Sequence, residues 1–404
     1  MTKKKILVIG PVLSMSGYGF QARFALEALK SQEEKYDIYV QPIGWGKTGW
    51  LWRDNEFRDW MDDRITETQV LIQKRELFPD ISLQITIPNE WKRIAPVNIG
   101  YTAGIETTKV SPVWIQKANE MDKVIVVSNH SKQVFENTKP KLTHPQTGEE
   151  VKLELTTPIE VVNYPVRYFE PEDIPGLNLD YNFNFLAVAQ WSPRKNIENT
   201  IRWFVEEFVD QKVGMVVKTS IATNSITDRN YTEKRLGALL SEYPDRKCKV
   251  YLLHGDMSDE QMTSLYQNDK IKALVNIGHG EGYGLPIFEA AYNALPVVSV
   301  GWSGQLDFLT QKGKNMFAEV NYTLQPVQPQ AVWPGVIEKD SMWAYADQGS
   351  YKMTLRKMKK EYAKNKRRAE KLKTIIEKEF TSEKMYEQFA NHVLPTGADN
   401  EVIL

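Results

Sequence analysis

The densest group of reactive side chains lies in Asn276-Ile-Gly-His279-Gly-Glu281-Gly282-Tyr283-Gly284-Leu285-Pro286-Ile-Phe-Glu289-Ala-Ala. The apolar run ending near Ile277 reads as a strand and the glycines as a turn. Pro286 reads as the first helical residue, for which its fixed φ is pre-set. Glu281 then falls in the turn and Glu289 one turn into the helix. Exposed amides at Gly284 and Leu285, with the helix dipole, make an anion site suited to a diphosphate. Two carboxylates flanking that site would repel the phosphates themselves. They fit if they accept hydrogen bonds from neutral hydroxyls on either side of the diphosphate, as the sugar and ribose of a nucleotide-sugar provide. The competing explanation is a capping glutamate in an ordinary glycine-rich loop.

A second group, Phe185-Leu-Ala-Val-Ala-Gln190-Trp-Ser-Pro-Arg194-Lys195-Asn196, puts two cations after another apolar run. Positive charge is unfavourable at a helix start, so these cations point to an anionic ligand rather than to capping. A fixed ammonium at Lys195 would stabilise charge growing on a departing phosphate. The Arg194 guanidinium can hold phosphate oxygens bidentately. Near the N-terminus, Gly17-Tyr18-Gly19 and Ala22 formally fit a dinucleotide fingerprint. That fingerprint requires a glycine at the strand end and an acidic residue closing the second strand. Here seven residues separate Ile9 from Gly17, and the second strand closes at Val40-Gln41. Hydride transfer is therefore disfavoured, and a tight turn is the plainer alternative for these glycines.

Such residues need rigid elements to hold them. Ile6–Ile9, Ile38–Val40, Val97–Tyr101 and Val124–Val127 read as buried strands, with helices over Phe20–Lys30 and about Pro112–Met121. A proline- and acid-rich stretch, Tyr164–Asp180, suits a linker. A second alternation follows: strands at Phe185–Ala189, Gly214–Val217, Val250–Leu253, Ala273–Asn276 and Pro296–Ser299, with a helix to about Val209. Ser258 and Gln261 form a capping box at the start of another helix. The chain then reads as charged helix over Tyr351–Glu379, with a last helix at Ser382–Val393. Apolar runs separated by helices indicate α/β architecture with two parallel, Rossmann-like sheets. Lys139–Val162 breaks the pattern and reads as a hairpin insertion turning at Thr147-Gly148.

The whole chain agrees with this reading. Its 404 residues exceed the roughly 150 of one domain, and 42% hydrophobic with 25% charged residues exclude wholesale disorder. A balance of 51 Lys+Arg against 52 Asp+Glu argues against a protein built mainly to neutralise phosphate backbones. One cysteine, Cys248, excludes an internal disulfide framework and a multi-thiolate metal site. No apolar stretch reaches the roughly 18 residues of a membrane span, and Lys3–Leu13 lacks a signal-cleavage pattern, so a cytoplasmic protein is expected.

The first window resembles the E-x7-E signature of the family 4 retaining glycosyltransferases of the GT-B fold, with Glu281 and Glu289 at the required spacing and Glu-Gly-Tyr-Gly-Leu-Pro around them. The resemblance implies two Rossmann-like domains facing across a cleft. The expected division is residues 1–170, joined by the C-terminal helix at about 382–404, on the acceptor side, and residues 171–381 on the nucleotide-sugar side. It implies that Glu281 contacts the donor sugar, Glu289 the ribose, and Lys195 the diphosphate. Gln190 departs from the family's usual arginine, with Arg194 as the candidate replacement. Gly17, Tyr18, Gly19, His279, Gly282, Tyr283, Gly284 and Leu285 become donor-side candidates. Glu106, after Tyr101-Thr-Ala-Gly-Ile, is a candidate acceptor or sugar ligand; the family's His-Asp pair is not seen, and His130 reads as a cap or surface residue. Enzymes of this kind use a nucleotide-sugar co-substrate and no metal or other cofactor, and the sequence has no Asp-x-Asp pair.

The acceptor is not named by any motif. Trp45, Trp50, Trp52 and Trp60, four of 11 tryptophans, cluster after the second strand among Gly44, Gly46 and Gly49. Exposed indoles stack on sugar rings or bases, so the first three are candidate acceptor residues. Lys352–Lys373 holds eleven Lys+Arg and two Glu, a possible contact for DNA or an anionic membrane surface, or a solvated helical face. The expected activity is retaining transfer from a nucleotide-sugar to a hydroxyl of a glycan, lipid or protein. Alternatives are a hydroxymethylated DNA base as acceptor and a non-catalytic sugar-nucleotide-binding protein.

Overall fold

The computed structural model describes residues 3–143 and 150–393. The chain divides into two compact units, Met1–Pro165 with Val332–Lys339 and Phe380–Leu404, and Val166–Ala331 with Asp340–Glu379.

The first unit is built on a six-stranded parallel sheet among the described residues. Its strands are β1 (Lys4–Gly10), β2 (Tyr36–Pro42), β3 (Ile81–Ile85), β4 (Val97–Thr102), β5 (Lys123–Val126) and β6 (Ile159–Val161), in spatial order β6-β5-β4-β3-β1-β2. The register sets Ile6 beside Ile38 on one side and Ile81 on the other, so apolar rows continue across the sheet. Helix α1 (Gly17–Lys30) is capped by Ser16 and buries Ala22, Phe24, Ala25 and Ala28, while Phe20 remains partly exposed. Helices α2 (Glu56–Lys74), α3 (Pro112–Asn119) and α4 (Asn129–Asn137) complete this part. Trp91, Trp114 and Phe135 centre one apolar cluster, and Val336 from the returning segment packs into it.

Strand β3 was not expected. Its sequence Ile-Ser-Leu-Gln-Ile alternates with polar residues, yet all five are buried, because Ser82 bonds Asn98 (2.9 Å) and Gln84 bonds the Lys92 carbonyl (2.6 Å). The expected hairpin is present as an antiparallel pair, Lys141–Thr143 with Glu150–Lys152; its turn at Thr147-Gly148 lies outside the described residues.

In the second unit the strands are β7 (Asn184–Val188), β8 (Gly214–Thr219), β9 (Lys249–His254), β10 (Ile271–Asn276), β11 (Val297–Val300) and β12 (Ala318–Val320). All are parallel, in order β9-β8-β7-β10-β11-β12. This is the doubly wound Rossmann order, and it reverses between β7 and β10, where such folds bind ligands outside the carboxyl ends of the strands. Helices α5 (Ile197–Phe208), α6 (Ile226–Leu240), α7 (Asp259–Gln267) and α8 (Leu285–Tyr292) connect them, and the Ser258–Gln261 capping box opens α7. A hairpin of β13 (Tyr322–Pro326) and β14 (Met342–Ala346) follows. The charged stretch folds as α9 (Gln348–Lys360) and α10 (Tyr362–Glu379). Helix α11 (Ser382–Val393) returns to the first unit, where Phe389 packs edge-on against Phe24 at 5.4 Å. Residues 162–183 carry no regular secondary structure. Among the described residues no helix is long and apolar enough to cross a membrane.

Candidate functional site

The loops leaving β7 and β10 are fastened to each other at the point where the strand order reverses. The His279 amide donates to the Arg194 carbonyl (2.8 Å), and Asn196 Nδ2 donates to the Ile277 carbonyl (3.1 Å). Asn196 takes a left-handed conformation (φ 51°) to turn the chain into α5. This aims Lys195 and Arg194 at Glu281. Lys195 Nζ lies 2.6 Å from both Glu281 carboxylate oxygens, Arg194 Nη1 lies 3.4 Å from Oε2 and 2.8 Å from the Gly280 carbonyl, and Asn276 Nδ2 donates to Oε1 at 3.1 Å. Glu281 is only 5% exposed. Burial by itself would raise its carboxyl, but Lys195 and Arg194 outweigh it and hold the group at about 2.

A third loop braces this carboxylate. The Glu281 amide donates to Ser303 Oγ (2.8 Å), and Ser303 is held at φ 74° with Gln305 Oε1 2.9 Å from its hydroxyl. Gly304 must be glycine, since a Cβ there would stand 1.9 Å from the Gly282 carbonyl oxygen. His279 is pinned beneath the loop: Nδ1 donates to the Ala344 carbonyl at 2.7 Å and the ring stacks on Trp343. Burial lowers its pKa, so the ring is neutral at physiological pH, with Nε2 as the acceptor.

Helix α8 starts one residue earlier than the sequence pattern indicated. Leu285 is its first residue and Pro286 its second, with Gly284 at φ 92° as the cap. The amides of Gly284 and Leu285 thus stand at the helix N-terminus. One turn on, Glu289 accepts a hydrogen bond from Tyr266 (2.7 Å). Burial raises the Glu289 carboxyl to about 7, with Asp259 adding to the rise and Tyr266, Arg167 and Lys218 opposing it. The two glutamates therefore differ in chemistry: Glu281 is a locked carboxylate, and Glu289 gains and loses its proton near neutrality. Tyr283 is buried, packed on Phe308 and Phe288. Gln190 is exposed and donates to the Ile221 carbonyl at 2.7 Å, while Arg194 stands beside Glu281.

The first unit gathers its candidates at the carboxyl ends of β1 and β4. Tyr18 bonds Thr102 Oγ1 (2.7 Å) and lies on Trp45, ring centres 4.4 Å apart. Burial raises the Tyr18 pKa, and Glu106 contributes to the field there. Gly17 is exposed with room for a side chain, whereas a Cβ on Gly19 would stand 1.9 Å from the Ser14 carbonyl oxygen. His130, expected as a cap or surface residue, is the second residue of α4, half-buried and held against the Ile105 backbone, and burial lowers its pKa to about 4. The tryptophan group divides. Trp50 and Trp52 are 65% and 91% exposed, on a chain tied to the first loop by Ser14–Trp50 pairing and by Leu51 N–H to Leu13. Trp60 does not belong with them: it sits in α2, stacked on Phe57 and bonded to Glu33, with Lys30 over its face.

Asn276, Ser303, Gln305 and Ala344 were missed by sequence reasoning. Gly301-Trp-Ser-Gly304, a turn signal directly after a strand, was the one legible hint. Among the described residues, no three His, Cys, Asp or Glu side chains are grouped to hold a metal ion.

Two parallel six-stranded sheets in two units constitute the GT-B fold, as comparison with solved structures shows. A sucrose-phosphate synthase from Thermosynechococcus elongatus superposes with a TM-score of 0.65 at 12% identity, over 96% of this chain and 98% of that one. Anabaena HepE, solved in complex with UDP-glucose, gives 0.58 at 14% identity over 96% and 99%. In sequence, the serotype-specific mannosyltransferase WbdA of Escherichia coli is 30% identical over 118 residues, 28% of this chain. That stretch spans 13% of WbdA's own length. No family model matches the chain. The fold implied by the E-x7-E window is thus the fold observed.

Proposed function

We propose that this protein is a retaining glycosyltransferase that moves a sugar from a nucleotide-sugar to a hydroxyl acceptor. The observation that carries the proposal is the Lys195–Glu281–Arg194 constellation at the strand-order reversal, beside the α8 N-terminus. A nucleoside diphosphate has two features that fit it. Its phosphates match the Gly284 and Leu285 amides and the cations, and its ribose hydroxyls match Glu289. Because Lys195 rests on Glu281, a diphosphate arriving at the α8 N-terminus competes with that carboxylate for the ammonium. Lys195 and Arg194 then stabilise the charge that develops on the departing phosphate. Glu281 is released to accept a hydrogen bond from a donor-sugar hydroxyl. In this reading the leaving phosphate takes the acceptor proton on the same face, giving retention without a metal, and the reaction takes place in the cytoplasm.

Trp50 and Trp52 are proposed as acceptor contacts, with Trp45 ordering the loop through Tyr18, and Glu106 and Gly17 on the same side. The basic strip gives the DNA alternative little support. Lys352 pairs with Glu206, Arg356 with Glu207 and Lys373 with Glu377, while Lys359 donates to the neutral Gln211 amide, so part of its charge is answered within the unit. The test is a screen of nucleotide-sugars for slow donor hydrolysis, followed by mass measurement of products from glycan, lipid, protein and hydroxymethylated DNA acceptors. Product anomer and insensitivity to a chelator examine retention and metal independence. No hydrolysis or transfer with any donor would overturn the proposal.

A further inference from the structure

A buried His–Asp pair lies outside the constellation described above. His254, the last residue of β9, places Nε2 2.7 Å from Asp228 Oδ1, and the two side chains are 5% and 7% exposed. Asp228 does more than hold the ring. Its carboxylate accepts three successive backbone amides from the loop after β8: Ile221 (3.0 Å), Ala222 (2.7 Å) and Thr223 (2.8 Å). The same loop is fastened on its other side to the β7 loop, through Gln190 to the Ile221 carbonyl and the Trp191 amide to Ser220 (2.8 Å). Gly255 closes the arrangement at φ 98°, where a Cβ would stand 2.3 Å from Asn224 Oδ1. With the Thr232 hydroxyl also donating to Oδ1 (3.2 Å), the carboxylate has five donors, a strong and directional clamp. Here it joins the loop after β8 to the end of β9, and the Gln190 and Trp191 bonds carry the connection on to the β7 loop.

These loops lie on the side of the sheet that the nucleoside half of a donor would occupy. Glu289 stands in the electrostatic field of Lys218, near the end of β8, and of Asp259, which opens α7 directly after the β9 loop. A ribose on Glu289 with its phosphates at the α8 N-terminus therefore directs the base toward the carboxyl ends of β8 and β9. We infer that Asp228 and His254 are positioning residues that hold residues 220–224 and 254–256 as the wall against which the nucleobase is bound. This rests on the donor reading above and adds the element that fixes base recognition.

The test is calorimetric titration with uridine, guanosine, adenosine and cytidine diphosphates, and with inorganic pyrophosphate as the probe of the phosphate subsite alone. Wild-type protein is expected to bind at least one nucleoside diphosphate more tightly than pyrophosphate. His254→Phe, which keeps the ring volume but removes the donor, raises that Kd about tenfold and leaves pyrophosphate binding unchanged. His254→Gln, which restores a donor to Asp228, recovers most of the loss. Asp228→Ala should exceed His254→Phe; should it fail to fold, the two His254 variants decide the matter. In transfer assays the loss appears in the donor KM, with kcat within about twofold of wild type. A folded His254→Phe protein with wild-type nucleoside preference overturns the inference, as does an equal loss of pyrophosphate binding. Wild-type protein without any preference over pyrophosphate overturns the donor reading, and this one with it.

Discussion

Replacing Lys195 by alanine tests the ion pair and the assignment together, because the two consequences differ in pH dependence. The Glu281 carboxyl is depressed from an ordinary 4.5 to about 2. At about 1.4 kcal/mol per pKa unit, that corresponds to some 3 kcal/mol of native stability. Since the folded-state pKa is the lower one, this stability is fully present above pH 4.5 and is lost as pH falls through 2. Arg194 and Asn276 remain after the substitution, so Lys195→Ala is expected to cost about 2 kcal/mol at pH 7, below the 3–5 kcal/mol of a fully stranded buried charge. The deficit should shrink toward zero only as pH falls to about 2 and below, where the wild-type carboxylate is protonated as well as the variant's. Urea unfolding of the wild type and variant at pH 7 and pH 2 reads this directly. Adding Glu281→Gln to Lys195→Ala removes the stranded charge and should recover most of the stability at pH 7. Transfer should not recover, staying about 10²–10³-fold below wild type for want of the cation. A Lys195→Ala protein with wild-type stability at both pH values would refute the ion-pair reasoning, and a wild-type transfer rate would refute the catalytic assignment.

Glu289→Gln removes a carboxyl that burial raises to about 7. A raised acid costs the fold stability as pH rises from 4.5 through 7, so the variant is expected to melt higher than wild type at pH 8 and no higher at pH 5. It should also lose nucleotide affinity, which calorimetry at pH 8 checks. For the same reason wild-type affinity for the nucleoside diphosphate should strengthen between pH 6 and 8, as Glu289 becomes the acceptor that ribose hydroxyls require; a flat profile counts against the ribose contact. Gly19→Ala forces a Cβ into the Ser14 carbonyl and should destabilise the first unit by about 1–3 kcal/mol in thermal melts, whereas Gly17→Ala should be near neutral. Trp52→Ala should leave stability and donor hydrolysis intact and raise the acceptor KM about tenfold, while Trp60→Ala should lower stability without that kinetic effect.

Different parts of this protein were legible to different degrees. Continuous apolar strands such as Ile6–Ile9 and Gly214–Val217 declare themselves, because burial on both faces leaves no room for polar residues. Strand β3 does not: Ser82 and Gln84 are buried only because Asn98 and the Lys92 carbonyl answer them from elsewhere in the chain. Helix α2 is similar, with three buried residues, Met61, Ile65 and Thr68, among 19. The segment 332–339 joins the first unit through Val336, a contact no local pattern announces. In the candidate site, Glu281, Glu289 and Lys195 stand out in the sequence because glycine, proline and charge recur at spacings set by a strand, a turn and a helix. Asn276 and Ser303 do not, since each reaches Glu281 through one hydrogen bond that loop packing, not local sequence, sets up.

Residue type and local spacing, by themselves, determined that this chain forms two α/β layers and presents carboxylates, cations and free amides at a strand-to-helix turn. Those properties follow from short-range sterics and periodicity. Only the tertiary structure decided what the charges do to one another. It set Lys195 on Glu281 and half-buried Glu289 against Tyr266, so that two glutamates eight residues apart hold opposite preferences for a proton. It also joined Asp228 to His254 across two loops. A pKa depends on burial and on charges brought close by distant segments, and neither is encoded at any one position in the chain.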